Sequence, residues 1–126
     1  MDNNSQSVRY ENERLLLKDN YLILKGSETA ARLSKNQKTL IFCLLNNIIE
    51  KERIIQQVWK GSDSHTKEKN YNQLVFQTRA LLTRQGFPEN LIMTIHRYGL
   101  CFNKFFLSSP DDQGSMKTPY TKTFYP

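Results

Sequence analysis

Residues 70–82 read NYNQLVFQTRALL, and after a polar turn residues 91–102 read LIMTIHRYGLCF. In the first segment Tyr71, Leu74, Val75, Leu81 and Leu82 recur at three- and four-residue spacing, the period of a helix with one buried stripe. That helix should begin near residues 67–70 and stop before Gly86. The flank away from Val75 and Leu82 carries Lys69, Asn70, Gln73 and Gln77, amides and a base rather than acids. The second segment alternates, as a strand pair does, and is expected to form a hairpin from residues 91–95 and 100–105. His96, Arg97, Tyr98 and Gly99 sit at its tip, where Gly99 permits the backbone conformations of a tight turn. The order is a polar-basic helix followed by a basic finger.

Upstream, the pattern is of short strands: VRY at 8–10, RLLLK at 14–18, YLILK at 21–25 and ETAARL at 28–33, with turns at Asp19-Asn20 and Gly26-Ser27. They predict a small antiparallel sheet with one buried face. Ser34 then precedes an apolar set at Leu40, Ile41, Leu44 and Leu45 and is a natural N-cap for a first helix. Ile48 and Ile49 form a brief extended link. A second helix is expected over 51–60, with Ile54, Ile55, Val58 and Trp59 as its stripe, so Trp59 reads as core. Residues 1–7 read as a disordered leader, 8–107 as one domain, and 108–126, with three prolines and no periodicity, as a flexible tail or linker.

At 126 residues and 38% hydrophobic content the chain has room for one modest core. No apolar run approaches the roughly 18 residues of a membrane span, and the polar start lacks an export signal. The net charge of +6 is unevenly spread. Residues 1–50 hold seven Lys/Arg against six Asp/Glu, residues 51–104 nine against four, and residues 105–126 two against two. The basic excess therefore accompanies the helix and the hairpin, as a polyanion-binding surface requires, although a charge run alone is usually a solvated face.

Signals for chemistry are absent. His65 and His96 lie far apart and away from any Cys at ligand spacing, so no metal site is expected. Cys43 lies among Ile41, Phe42, Leu44 and Leu45, which hides a thiol rather than presenting a nucleophile, and no Gly-rich phosphate loop or serine elbow occurs. Two buried thiols, Cys43 and Cys101, fit a cytoplasmic protein better than a disulfide scaffold. Neither catalysis nor a cofactor is expected. Phe76 interrupts the polar flank of the third helix, and either packs under the hairpin or touches a thymine methyl.

Over residues 8–104 the chain resembles the winged-helix DNA-binding domain of OmpR-type transcriptional regulators, most closely the ToxR/CadC-like branch. The residues that carry the resemblance are Leu33-Ser34 opening the first helix and IIEKERIIQQVW at 48–59. Further matches are Asn72-Gln73, Val75 and Gln77, Arg79 before Leu82, and Thr94-Ile95 leading to Gly99. The chain departs from the family's pattern at Glu50, where a capping Ser is usual, at Thr78 in place of Leu, and at Leu100 in place of an aromatic residue.

The resemblance implies an α+β fold: a winged helix-turn-helix with a four-stranded N-terminal antiparallel β platform, three helices and a C-terminal β-hairpin wing. It implies that the third helix enters the major groove and the wing the minor groove of double-stranded promoter DNA. Carried onto this chain, Lys67, Lys69, Asn70, Gln73 and Gln77 face the major groove, Arg79 meets phosphate, and His96, Arg97 and Tyr98 form the wing tip. The loop 61–66 matches the one that contacts RNA polymerase in some relatives. Binding as paired copies on repeated half-sites is implied, as is anchoring in the inner membrane if the native chain continues beyond Pro126. The departures and Phe76 leave a second reading, a winged helix turned into a protein-interaction module.

Overall fold

Leucines at alternate positions make the first layer. A computed structural model of the chain describes residues 8–60 and 67–104. In it β1 (Leu15–Lys18), β2 (Tyr21–Leu24) and β3 (Ala30–Arg32) form an antiparallel sheet in the order β1-β2-β3. Leu15 pairs with Leu24 and Tyr21 with Arg32. The alternation buries Leu15, Leu17, Leu22 and Ala31 on one face, as period-two patterning dictates. The β1–β2 turn uses Asp19 at φ +55°, a left-handed conformation that Asp tolerates better than most residues.

Four strands were implied for this platform, and the described residues hold three. Residues 8–10 are exposed, and Glu11 makes a single bridge with Leu16. Asn12 Oδ1 accepts from the N–H groups of Arg14 (2.9 Å) and Leu15 (2.8 Å) in an Asx-type turn that folds residues 10–12 back on β1, where Leu17 N donates to Tyr10 O. Arg9 is bonded to the Asn46 side chain instead, so the pairing goes no further.

The first of three helices packs on the sheet, and the other two pack on that helix and on each other. α1 (Lys35–Leu45) starts at Ser34 with a capping box: Ser34 Oγ accepts from Gln37 N, and Gln37 Oε1 accepts from Ser34 N. It ends in a Schellman motif, with Asn47 at φ +62°, Asn47 N donating to Leu44 O and Ile48 N to Cys43 O. α2 (Lys51–Val58) is two residues shorter than expected, because Trp59 leaves helical geometry at its C-cap. α3 (Lys67–Arg84) is 18 residues long and stops at Gly86, φ +102°, in a second Schellman motif. The helices pack on one another through Leu40, Ile41, Leu44, Ile54, Ile55, Leu74 and Val75.

The hairpin follows as β4 (Ile92–Ile95) and β5 (Gly99–Phe102), paired Ile92 to Phe102 and Ile95 to Gly99. Both arms are shorter than the sequence suggested. Leu91, Ile92, Leu100 and Phe102 are buried and seat the hairpin on the core.

The link between α1 and α2 is extended, as expected, and it completes the wing. Glu50 bridges Gly99, Leu100 N donates to Ile49 O (2.9 Å), and Lys51 N donates to Tyr98 O (2.8 Å). This last bond satisfies the first of the N–H groups that the start of α2 leaves without a helical partner; Glu50 at the N-cap makes no side-chain capping bond of its own. It also corrects the reason for Gly99. Its backbone is not left-handed. A Cβ there would lie 1.7 Å from Ile49 O, so glycine is required by the close approach of the link strand.

Candidate nucleic-acid interface

The outward face of α3 is set by which residues its core side takes. Tyr71, Leu74, Val75, Thr78 and Leu82 are buried, while Leu81 is only half-buried. Thr78 is fully buried, and its hydroxyl donates to Leu74 O at 2.7 Å, so no polar atom of the side chain is left unsatisfied. With Thr78 inside, the helix is rotated relative to a stripe centred on Leu81. Lys69, Asn72, Gln73, Phe76, Gln77, Ala80, Thr83 and Arg84 all face outward.

Of the helix residues anticipated from the sequence, Lys69, Gln73 and Gln77 stand exposed on this face, and Lys67 and Asn70 are half-buried beside it. Asn70, Gln73 and Gln77 share a hollow of about 360 Å³ with Trp59, Ser34 and Asn36. Trp59 is half-buried: it packs against the core, as its place in the stripe suggested, and also lines that hollow. Asn72, Phe76 and Arg84 belong to the same face and were not among the anticipated site residues. The signal that could have found them is the i−4 carbonyl available to a helical threonine, which lets Thr78 go inside and turns Phe76 out. Phe76 does not pack under the hairpin. It is 71% exposed and lies toward the platform side, near Arg32 and Leu33.

The wing tip lies on the opposite flank. Its turn is closed by Tyr98 N donating to Ile95 O at 2.9 Å. His96, Arg97 and Tyr98 are all exposed, and Arg97 holds φ +60°. Arg97 and Tyr98 border a hollow of about 400 Å³ whose other wall includes Tyr71 and Asn72. The helix face and the finger are thus neighbours across one depression. Glu50, Lys51 and Glu52 also line it, and Lys51 is paired with Glu68, so the cation this hollow offers a polyanion is Arg97 at its rim.

Arg79 fixes this geometry. Its Nε donates to Ile92 O (3.2 Å) and its Nη2 to Thr94 Oγ1 (2.6 Å), which ties the middle of α3 to β4. The guanidinium anticipated at phosphate is therefore also the clasp between helix and wing. At the start of α3, Lys51 Nζ pairs with the Glu68 carboxylate and stands 5.5 Å from the centre of the Tyr71 ring. Glu68, an acid in the first turn of α3, is thereby offset, and burial pushes the Tyr71 phenol pKa up.

Cys43 has no exposed surface, and burial pushes its thiol up to about 11. Among the described residues no three His, Cys, Asp or Glu side chains cluster as a metal site, and no helix is long and apolar enough to cross a membrane. The loop 61–66, with His65, lies outside the described residues.

No protein-family profile matches the chain, and no curated protein does. Among solved structures, it is similar to the C-terminal domain of the nisin resistance regulator NsrR, a lantibiotic response regulator. The TM-score is 0.56 at 17% sequence identity, over 77% of this chain and 96% of that one. At that identity the likeness speaks for the fold: three helices and two antiparallel sheets in an α+β winged-helix arrangement.

Proposed function

We propose that this chain is a non-catalytic, cofactor-free transcriptional regulator that binds promoter DNA sequence-specifically, with α3 in the major groove and the β4–β5 wing in the adjacent minor groove. The observation that carries the reading is that Asn72, on the outward face of α3 that also holds Lys69 and Gln73, stands across one hollow from the exposed Arg97 tip, with Arg79 holding helix and hairpin together. A helix about 10–12 Å across fits a major groove about 12 Å wide. Amides pair in two places with adenine, and a cationic finger suits the negative potential of a narrow minor groove. On this reading Lys67, Lys69, Asn70, Gln73 and Gln77 meet the major groove and His96, Arg97 and Tyr98 the minor groove. Arg79 approaches phosphate while clasping the wing.

The finer assignment is to the OmpR type, ToxR/CadC-like branch, supported by the pattern of residues 48–59. It carries with it a cytoplasmic DNA-binding unit, paired copies on repeated half-sites, and contact with RNA polymerase through the loop 61–66. Affinity for duplex DNA from the region upstream of its own gene, measured over a range of salt, tests the proposal. About five phosphate contacts give a slope of log affinity against log salt of roughly −4 to −5. Absent or salt-insensitive binding rejects it. The exposed ring of Phe76 favours a second reading, a protein-docking face, which the next experiment separates from the first.

A further inference from the structure

Phe76 is the least covered of the large apolar side chains among the described residues, and it stands in the middle of the polar face of α3. One turn before it are Asn72 and Gln73, and one turn after it is Ala80, small enough to leave the ring's edge open. It borders a cleft of about 610 Å³ between α3, the start of α1 and the edge of the platform, flanked by Arg32 and Arg84. The other exposed large apolar residues, Val8, Tyr10, Tyr21, Met93 and Tyr98, do not line this cleft. A protein partner would call for a contiguous apolar patch around the ring. Here the apolar surroundings of the ring are limited to Ala80, the half-buried Leu81 and the buried Leu33, and the rest of the cleft carries two cations and several amides. That combination suits a polyanion that offers one apolar group at the depth of the helix.

We propose that Phe76 reads the C5-methyl group of a pyrimidine in the major groove, so that the chain's sequence preference contains a thymine, or a 5-methylcytosine, opposite the centre of α3. The methyl is the one apolar group that a base edge presents in that groove, and phenylalanine is among the side chains suited to it. On this reading Arg32 and Arg84, which line the same cleft, would meet phosphates flanking that base. The inference rests on the DNA-binding reading above and adds the chemical identity of one base.

The test uses the full chain and duplexes recovered by selection from a random-sequence pool. In each recovered duplex, every thymine is replaced singly by deoxyuridine, which lacks only the methyl, and every cytosine singly by 5-methylcytosine. Uridine at one position, or two adjacent ones, should weaken binding about fourfold, the equivalent of ~0.8 kcal/mol for one buried methylene. In Phe76→Ala the thymine and uridine duplexes should bind alike at those positions, and Phe76→Leu should keep part of the difference. An unchanged thermal midpoint verifies that both variants are folded. A gain from 5-methylcytosine that disappears in Phe76→Ala also supports the proposal and names the methylated base as the source. Equal binding of thymine and uridine at every position, with no such gain, overturns it and leaves DNA binding standing. So does an equal uridine penalty in Phe76→Ala, or loss of self-association in that variant at unchanged DNA affinity, which would make the ring a protein contact. A pool from which no duplex is recovered removes the DNA-binding reading, and this inference with it.

Discussion

Arg97 occupies φ +60° at the third position of the wing's turn, a conformation in which an L side chain crowds its own carbonyl by about 1–2 kcal/mol. Glycine or asparagine would be the relaxed choice there. A charged residue held in that state at the most exposed point of the hairpin suggests that the guanidinium is worth more at the tip than the stability it forfeits. Arg97→Gly should therefore leave the fold as stable as before or stabilise it slightly, by up to about 0.5–1 kcal/mol in chemical denaturation. Affinity for A·T-rich duplex should drop at the same time. A loss of stability together with retained affinity would show that the residue serves the hairpin and not a ligand. Thr78 makes a related point without strain, since its hydroxyl is satisfied inside its own helix.

At the scale of elements, the wing is a three-part device. β4 and β5 supply the hairpin, the Ile49–Glu50 link adds bonds along β5, and Arg79 ties β4 to α3. Gly99 is the point where the link comes closest, so Gly99→Ala must push backbone against backbone. The expected loss is about 2–4 kcal/mol in urea denaturation, at the upper end of what overpacking produces. A loss below about 0.5 kcal/mol would contradict the close approach.

These elements also mark the limits of reading the chain by pattern. The apolar spacing of Tyr71, Leu74, Val75 and Leu82 was sufficient to locate α3, and Ser34 and Gly86 marked helix ends. The alternation around 91–102 was sufficient for the hairpin. Pattern reading placed Leu81 inside and passed over Thr78, because a hydroxyl looks polar until its i−4 carbonyl is counted. It found Gly99 for the wrong reason, since a contact with residue 49 is invisible to local turn chemistry. The expected strand over 8–10 does not form because Arg9 bonds to Asn46, 37 residues away, a partner no local pattern reveals. The second role of Arg79 depends on the distance between two elements, which no local spacing encodes.

For the whole molecule, the core is shared by all three layers, and Cys43 lies within it. Its thiol is pushed from an ordinary value near 9 up to about 11 by burial, so the folded state holds a proton that the unfolded chain releases earlier. The associated stability is fully present below about pH 9 and is lost as the pH rises toward 11. Tyr71, shifted in the same direction, adds to that loss above its own ordinary range. Between pH 8 and 10.5 the wild type should lose on the order of 2 kcal/mol more than Cys43→Ala in urea titrations. Equal losses would show that the thiol is solvated. The uneven charge of the chain also belongs to this scale: the basic excess of residues 51–104 is carried by the part that holds α3 and the wing, where the DNA-binding reading needs it.

The docking geometry is the central claim, and one measurement reads both grooves together. Dimethyl sulfate methylates guanine N7 in the major groove and adenine N3 in the minor groove. A duplex selected by the full chain should show protected guanines where α3 lies and protected adenines in the adjacent minor groove, and Arg97→Ala should restore only the adenine reactivity. Protection in neither groove, or loss of both signals together with Arg97, would contradict a helix and a wing that read neighbouring grooves.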